Sequence, residues 1–159
     1  IRDRLYVTSG LGGMSGAQAK AAVIAGAVCI IAEIDPIAAN KRHQQGWLTE
    51  LYDDLEKVIS RSKQAVENKE AISIGYLGNI VDLLEYLVEQ NITPDLASDQ
   101  TSLHNPWLGG YMPLGMSFEK GREMIINDPE GFRNDVKKTL RKHVEYINQL
   151  SDRGTIFWD

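Results

Sequence analysis

Cysteine is nearly absent. A single one, Cys29, stands in the apolar run 27–32, so no disulfide can form within the chain, which suits a reducing, cytoplasmic compartment. Long hydrophobic runs are missing as well. The longest, around residues 21–32, is broken by Gly26 and ends at Glu33, too short to span a bilayer. No basic, apolar and small-residue leader opens the sequence. Positive charge is not in excess: 17 Lys and Arg stand against 22 Asp and Glu, for a net charge of −5. That balance argues against general nucleic-acid binding and against a membrane surface as partner. The three histidines, His43, His104 and His143, lack metal-ligand spacing, so no metal is expected. There is no internal repeat and no low-complexity segment.

What remains is an ordinary globular composition, 159 residues with 43% hydrophobic and 25% charged, enough for one domain with its own core. Ile1 is not a methionine start, and strand-like runs, Leu5-Tyr6-Val7 and Ile156-Phe157-Trp158-Asp159, stand at both ends. The expectation is one domain over residues 1–159, excised from a longer polypeptide.

Strands and helices alternate along the chain. Leu5–Thr8 reads as a short strand, and alanine-rich 17–27 as a helix. Val28–Glu33 is apolar throughout, as a buried parallel strand should be. Leu51, Leu55, Val58, Ile59, Ala65 and Val66 fall on one helical face. Residues 71–76 read as the next strand, and Ile80, Val81, Leu83, Leu84, Leu87 and Val88 as a helical stripe. A short strand over 95–98 follows Pro94. Ser117 caps a helix through Ile126, and Asp128-Pro129 starts a long one. On it Phe132, Val136, Leu140, Val144, Ile147 and Leu150 should form the buried face, leaving His143 on the surface. Such alternation predicts an α/β fold, a doubly wound and mostly parallel sheet with flanking helices and a long C-terminal helix.

The loop Ser9-Gly10-Leu11-Gly12-Gly13-Met14-Ser15-Gly16 joins the first strand to the first helix. Glycines there let a backbone approach a pyrophosphate, and the helix N-terminus supplies N–H groups. The spacing departs from G-x-G-x-x-G, with Ser15 in the place of the third glycine. Glu33 closes the second strand twenty positions after Gly13, where a dinucleotide site keeps its ribose-binding acid. The polar segment from Ser98 to Pro106 follows another strand, and Gly78-Asn79 a third; either could be a capping turn or a ligand edge. Asp53-Asp54 reads as a solvated helix start. Cys29 reads as inert core, and Trp47 and Trp107 as packing residues.

Taken together, Gly12-Gly13-Met14-Ser15-Gly16-Ala17-Gln18, Gly78-Asn79, Asp99 through Pro106 and Gly109-Gly110-Tyr111 resemble urocanate hydratase, urocanase, over essentially the whole chain. The resemblance implies a Rossmann-like NAD-binding domain of a hydro-lyase, inserted within a larger core and active in a cytoplasmic homodimer. That enzyme adds water to urocanate in histidine degradation. Its tightly held NAD⁺ serves as an electrophile, without net hydride transfer. By position, Gly12, Gly13, Met14 and Ser15 match the pyrophosphate loop, Glu33 the acid on the adenosine ribose, and Asn79 and Ile80 a further NAD contact. Gln100, Thr101, Ser102, Leu103 and His104 match the segment beside the nicotinamide half, and Tyr111 with Met112 the contact after it. One departure concerns the adenosine end. An arginine carried by many bacterial members a few residues beyond the acid is missing, the stretch here being Asp35-Pro36-Ile37-Ala38, and Lys41-Arg42-His43 comes later. The resemblance assigns no catalytic residue within this segment, the family's active-site cysteine lying outside it, and with urocanate expected between the nicotinamide and another domain the chain alone should be inactive. An ordinary dehydrogenase domain and a non-catalytic dinucleotide-sensing module are the alternatives.

Overall fold

The computed structural model describes residues 1–99 and 105–158. Among the described residues six strands form one sheet: β1 (Leu5–Ser9), β2 (Val28–Glu33), β3 (Glu50–Tyr52), β4 (Ile72–Leu77), β5 (Leu96–Ser98) and β6 (Ile156–Trp158). Their order is β3-β4-β2-β1-β5-β6, and every pair is parallel. The helices are α1 (Gly16–Ile24), α2 (Pro36–Gln44), α3 (Leu55–Glu67), α4 (Ile80–Glu89), α5 (Phe118–Asn127) and α6 (Pro129–Asp152).

The alternation of β2 explains the layering. Val28, Ile30 and Ala32 point into one core cluster with side chains of α3, α4 and α6. Cys29 and Ile31 point the other way, into a smaller cluster with Ala19 and Ala22 of α1 and Ala39 of α2. A strand apolar on both faces is therefore covered by helices on both faces, as an all-parallel sheet requires. Small residues along α1 let it lie close to the sheet. The chain winds outward from β1 in both directions, so the order reverses between β1 and β5. In open sheets of this kind the crevice at the carboxyl ends near that reversal is where ligands bind.

The doubly wound α/β architecture is as expected, with four local corrections. Leu51 lies in the edge strand β3, not on the following helix, because α3 starts only after Asp54, whose carboxylate accepts from the Lys57 N–H. α2 was not anticipated, although Asp35 caps it and Pro36 occupies its first turn. α1 stops at Ile24, since Gly26 at φ +81° ends the helix. On α6 the buried residues are Phe132, Val136, Thr139, His143 and Leu150, whereas Val144 is exposed. Repeated i+4 steps drift by about 40° each, so only alternating steps of four and three stay on one face.

Candidate functional site

The carboxyl end of β1 turns at Gly10, whose φ of +93° favours glycine and whose N–H donates to the Ala32 carbonyl at 2.8 Å. Leu11 is buried in the smaller cluster and anchors the loop. The Gly12 N–H donates to Ser15 Oγ at 3.1 Å, so this hydroxyl braces the loop rather than capping α1. A Cβ built on Gly13 meets no atom within 4 Å, and Met14 is exposed.

Glu33 ends β2 beside this loop. Its Oε2 accepts from the Leu11 N–H at 2.6 Å and its Oε1 from the Asp35 N–H at 2.9 Å. Burial raises the pKa of this carboxyl, and the N–H donors oppose that shift without cancelling it. The expected ribose acid thus also ties the glycine loop to the start of α2.

Asn79 sits after β4. Its Oδ1 accepts from the Val81 N–H at 2.9 Å, capping α4, and its Nδ2 donates to the Met112 carbonyl at 2.8 Å. It is both the helix cap and a tether for the segment that carries Tyr111. That segment is held from α6 too, where Thr139 Oγ1 accepts from the Leu114 N–H at 2.9 Å.

These segments border one cavity of about 310 Å³. Gly12, Ser15, Glu33, Asn79, Ile80, Tyr111 and Met112 of the expected site all line it. Gly13 and Met14 lie between two lining residues without lining it themselves. Gln100, Thr101, Ser102, Leu103 and His104 lie outside the described residues. Ile34, Ala38 and Phe118 add an apolar wall, and Ser9, Gly10, Asp35 and Gly109 further polar surface. Backbone amides, the carboxylates of Glu33 and Asp35 and an apolar side suit an elongated ligand with flat rings and ribose hydroxyls.

Two groups of residues escaped the sequence reading. Arg42 of α2 reaches the glycine loop, its Nε donating to the Leu11 carbonyl at 3.1 Å. His143, expected on the surface, is 2% exposed. Its Nδ1 is 2.9 Å from the Tyr111 hydroxyl, and its Nε2 is 3.5 Å from Oδ2 of Asp99. Ser9 Oγ donates to Asp99 Oδ1 at 2.7 Å. Burial lowers the His143 pKa, against the pull of Asp99, so the ring is held neutral. With the Tyr111 hydroxyl donating to Nδ1, the ring proton belongs on Nε2, facing Asp99. A polar chain therefore leaves the cavity wall at Ser9 and returns to it at Tyr111. The available signal was the heptad-like stripe on α6, on which Thr139 and His143 interrupt apolar positions.

Cys29 is fully buried, and burial pushes its thiol up to about 12, so it stays an unreactive core residue. Trp107 packs against the larger core cluster. Among the described residues no cluster of His, Cys, Asp or Glu could hold a metal ion, and no helix is long and apolar enough to cross a membrane.

Comparison with known proteins gives a consistent answer. Residues 1–159 match the model of the urocanase Rossmann-like domain. The chain is 52% identical over 157 residues to a probable urocanate hydratase of Dictyostelium discoideum, covering 98% of this chain and 23% of that protein. It is 51% identical over 160 residues to a probable urocanate hydratase of Caenorhabditis elegans, covering 100% of this chain and 24% of the relative. It is 48% identical over 164 residues to the urocanate hydratase of Homo sapiens, again covering 100% and 24%. The chain thus spans about a quarter of the length of the curated relatives it matches.

Proposed function

The chain belongs to the urocanase Rossmann-like domain family, and from that premise we propose that it is the NAD-binding domain of a urocanate hydratase, a cytoplasmic and homodimeric hydro-lyase of histidine breakdown. The observation that carries this reading is the convergence of the glycine loop, Glu33, Asn79-Ile80 and Tyr111-Met112 on one cavity at the carboxyl ends of β1, β2 and β4. None of the relatives named above bears a dehydrogenase's name.

The residues present fit a dinucleotide. Gly13 offers open backbone with nothing within 4 Å of a built Cβ, as a loop that meets phosphates needs. Glu33 offers a carboxylate for ribose hydroxyls at the end of β2. When bound, NAD⁺ supplies an electrophilic nicotinamide ring. In this proposal the chain's own groups bind and orient: the loop of Gly12 to Ser15 holds the pyrophosphate, and Glu33 the adenosine ribose. Asn79 and Ile80 border the middle of the cofactor. Gln100, Thr101, Ser102, Leu103, His104, Tyr111 and Met112 frame the nicotinamide half. Urocanate would be held between that half and the remainder of the full-length protein.

Titration with NAD⁺ and NADP⁺ tests the reading. Glu33 would face a 2′-phosphate, and like-charge repulsion there is worth on the order of 1–3 kcal/mol. NAD⁺ is expected to bind more tightly by about fivefold to a hundredfold, in line with that energy. Equal affinities would remove Glu33 from its role, and no binding of either would sink the proposal.

A further inference from the structure

Three carbonyl groups of the glycine loop face one side chain. Arg42 Nε donates to the Leu11 carbonyl at 3.1 Å, and one terminal nitrogen donates to the Gly12 carbonyl at 2.6 Å and the Gly13 carbonyl at 3.4 Å. The other terminal nitrogen donates to Gln45 Oε1 at 2.8 Å. The guanidinium also lies over the Trp47 ring, 4.6 Å from its centroid. Its approach is tight: a Cβ on Gly16 would stand 2.5 Å from Arg42 Nε. Gly16 thus serves as the bare surface over which the arginine passes. Its place is steric, since its backbone lies outside the left-handed region.

The consequence follows from peptide geometry. In a trans peptide the carbonyl and the next N–H point in opposite directions, and the described residues contain no cis bond. Holding the carbonyls of Leu11, Gly12 and Gly13 toward α2 turns the N–H groups of Gly12, Gly13 and Met14 away from it. The Gly12 N–H is taken by Ser15 Oγ. Within the loop the Gly12 carbonyl also accepts from the Gly16 N–H at 3.2 Å, but glycines at 10, 12, 13 and 16 leave the peptide planes of Leu11 and Gly13 soft, and these have Arg42 as an external hold. A planar fork with several fixed donors suits that task; a lysine's single ammonium does not.

We propose that Arg42 is the positioning residue of the cofactor loop: from α2 it fixes the peptide planes of residues 11–14, so that the N–H groups of Gly13 and Met14 stay presented to the pyrophosphate. Trp47 orients the arginine, and Gly16 gives it passage. This rests on the functional reading above. It assigns Arg42 an effect through backbone direction, not through its own charge on the phosphates.

The test is carried out on the full-length protein, with NAD⁺ and adenosine as probes. Arg42→Ala is expected to weaken NAD⁺ binding by about tenfold or more, the loss of a few hydrogen-bonded donors. Adenosine, which has no pyrophosphate, should bind within about twofold of wild type. Arg42→Lys should be nearly as weak as Arg42→Ala, and Gly16→Ala should weaken NAD⁺ despite raising helix propensity. Deuterium exchange of residues 10–16, measured without cofactor, should rise in Arg42→Ala. Full NAD⁺ affinity in Arg42→Lys would overturn the proposal in favour of a charge effect. Equal losses of NAD⁺ and adenosine would overturn it in favour of general destabilisation. If wild type itself binds no NAD⁺, the functional reading fails instead. The exchange measurement then still decides whether Arg42 holds the loop, and unchanged exchange would refute it.

Discussion

Gly10 and Gly13 are three residues apart, yet they answer to different demands. Gly10 needs a left-handed backbone, with φ of +93°, so Gly10→Ala should cost about 1–2 kcal/mol of stability. Gly13 is outside that region, and its missing side chain faces open space. Gly13→Val should therefore melt within about 2 °C of wild type, as surface changes do, and should lose NAD⁺ binding. A calorimetric titration and a melt on the same protein check both halves. Normal NAD⁺ binding by folded Gly13→Val would show that this loop does not hold the cofactor. His143 gives a prediction in pH. Its folded pKa lies below the ordinary value of 6.5, chiefly through burial. The unfolded chain then takes up a proton that the folded chain refuses, so stability is full above pH 6.5 and falls as the pH drops below it. The slope contributed by one such group is at most about 1.4 kcal/mol per pH unit. Denaturant unfolding of wild type and His143→Gln between neutral and mildly acid pH should show the smaller slope in the variant. Parallel slopes would mean that His143 titrates alike in both states.

At the scale of elements, Asn79 joins α4 to the segment of Tyr111 and Met112, and its two roles separate by substitution. Asn79→Ala removes the cap and the donor to the Met112 carbonyl, which should cost about 1–3 kcal/mol in all. Asn79→Asp keeps the cap and gains from the helix dipole, but it cannot donate to Met112. It should lose about 1–3 kcal/mol, because a carboxylate oxygen then faces the Met112 carbonyl in a buried site, and it should loosen residues 109–114 with the α4 cap intact, seen as faster amide exchange there. Equal exchange in both proteins would make the tether unimportant. The elements legible in the sequence were those with a strong period or a clear cap. β2 is apolar at every position before Glu33, α4 carries an unbroken stripe, and Ser117 and Asp128 announce α5 and α6. α2 was hidden because it buries only Ala39, leaves Ile37 exposed and is polar from Asn40 on, so it carries no apolar stripe. β3 was hidden because three half-buried edge residues make no pattern of their own. The loop, Glu33 and Asn79 could be located because strand ends and glycines are local signals. Arg42 could not, since its contacts lie about thirty residues away and come from a helix that composition did not reveal.

For the whole molecule, the question is what a domain of this kind does by itself. Its cavity is open and bordered by apolar residues that water still reaches. Ile37 and Leu108 are exposed and directly adjoin lining residues, and Met14 is exposed between Gly12 and Ser15. Exposed apolar side chains next to a binding site in sequence leave apolar surface on which further protein or ligand could pack. The chain makes up 23–24% of its relatives' length, so most of a urocanate hydratase lies outside it. Water addition needs a substrate held in one orientation and acid–base groups aimed at it. Among the described cavity residues the acidic side chains are Glu33 and Asp35. Glu33 is bonded to loop amides and Asp35 caps α2. Neither is free to serve as a proton donor or acceptor at a distant nicotinamide. The expectation is that the chain of residues 1–159 binds NAD⁺ but does not hydrate urocanate. Purified chain with excess NAD⁺ should leave the ultraviolet absorbance of urocanate unchanged over hours, while the full-length protein consumes it under the same conditions. Steady loss of that absorbance with the chain alone, abolished by Gly13→Val, would place the acid–base groups within these residues and overturn the division of labour proposed here.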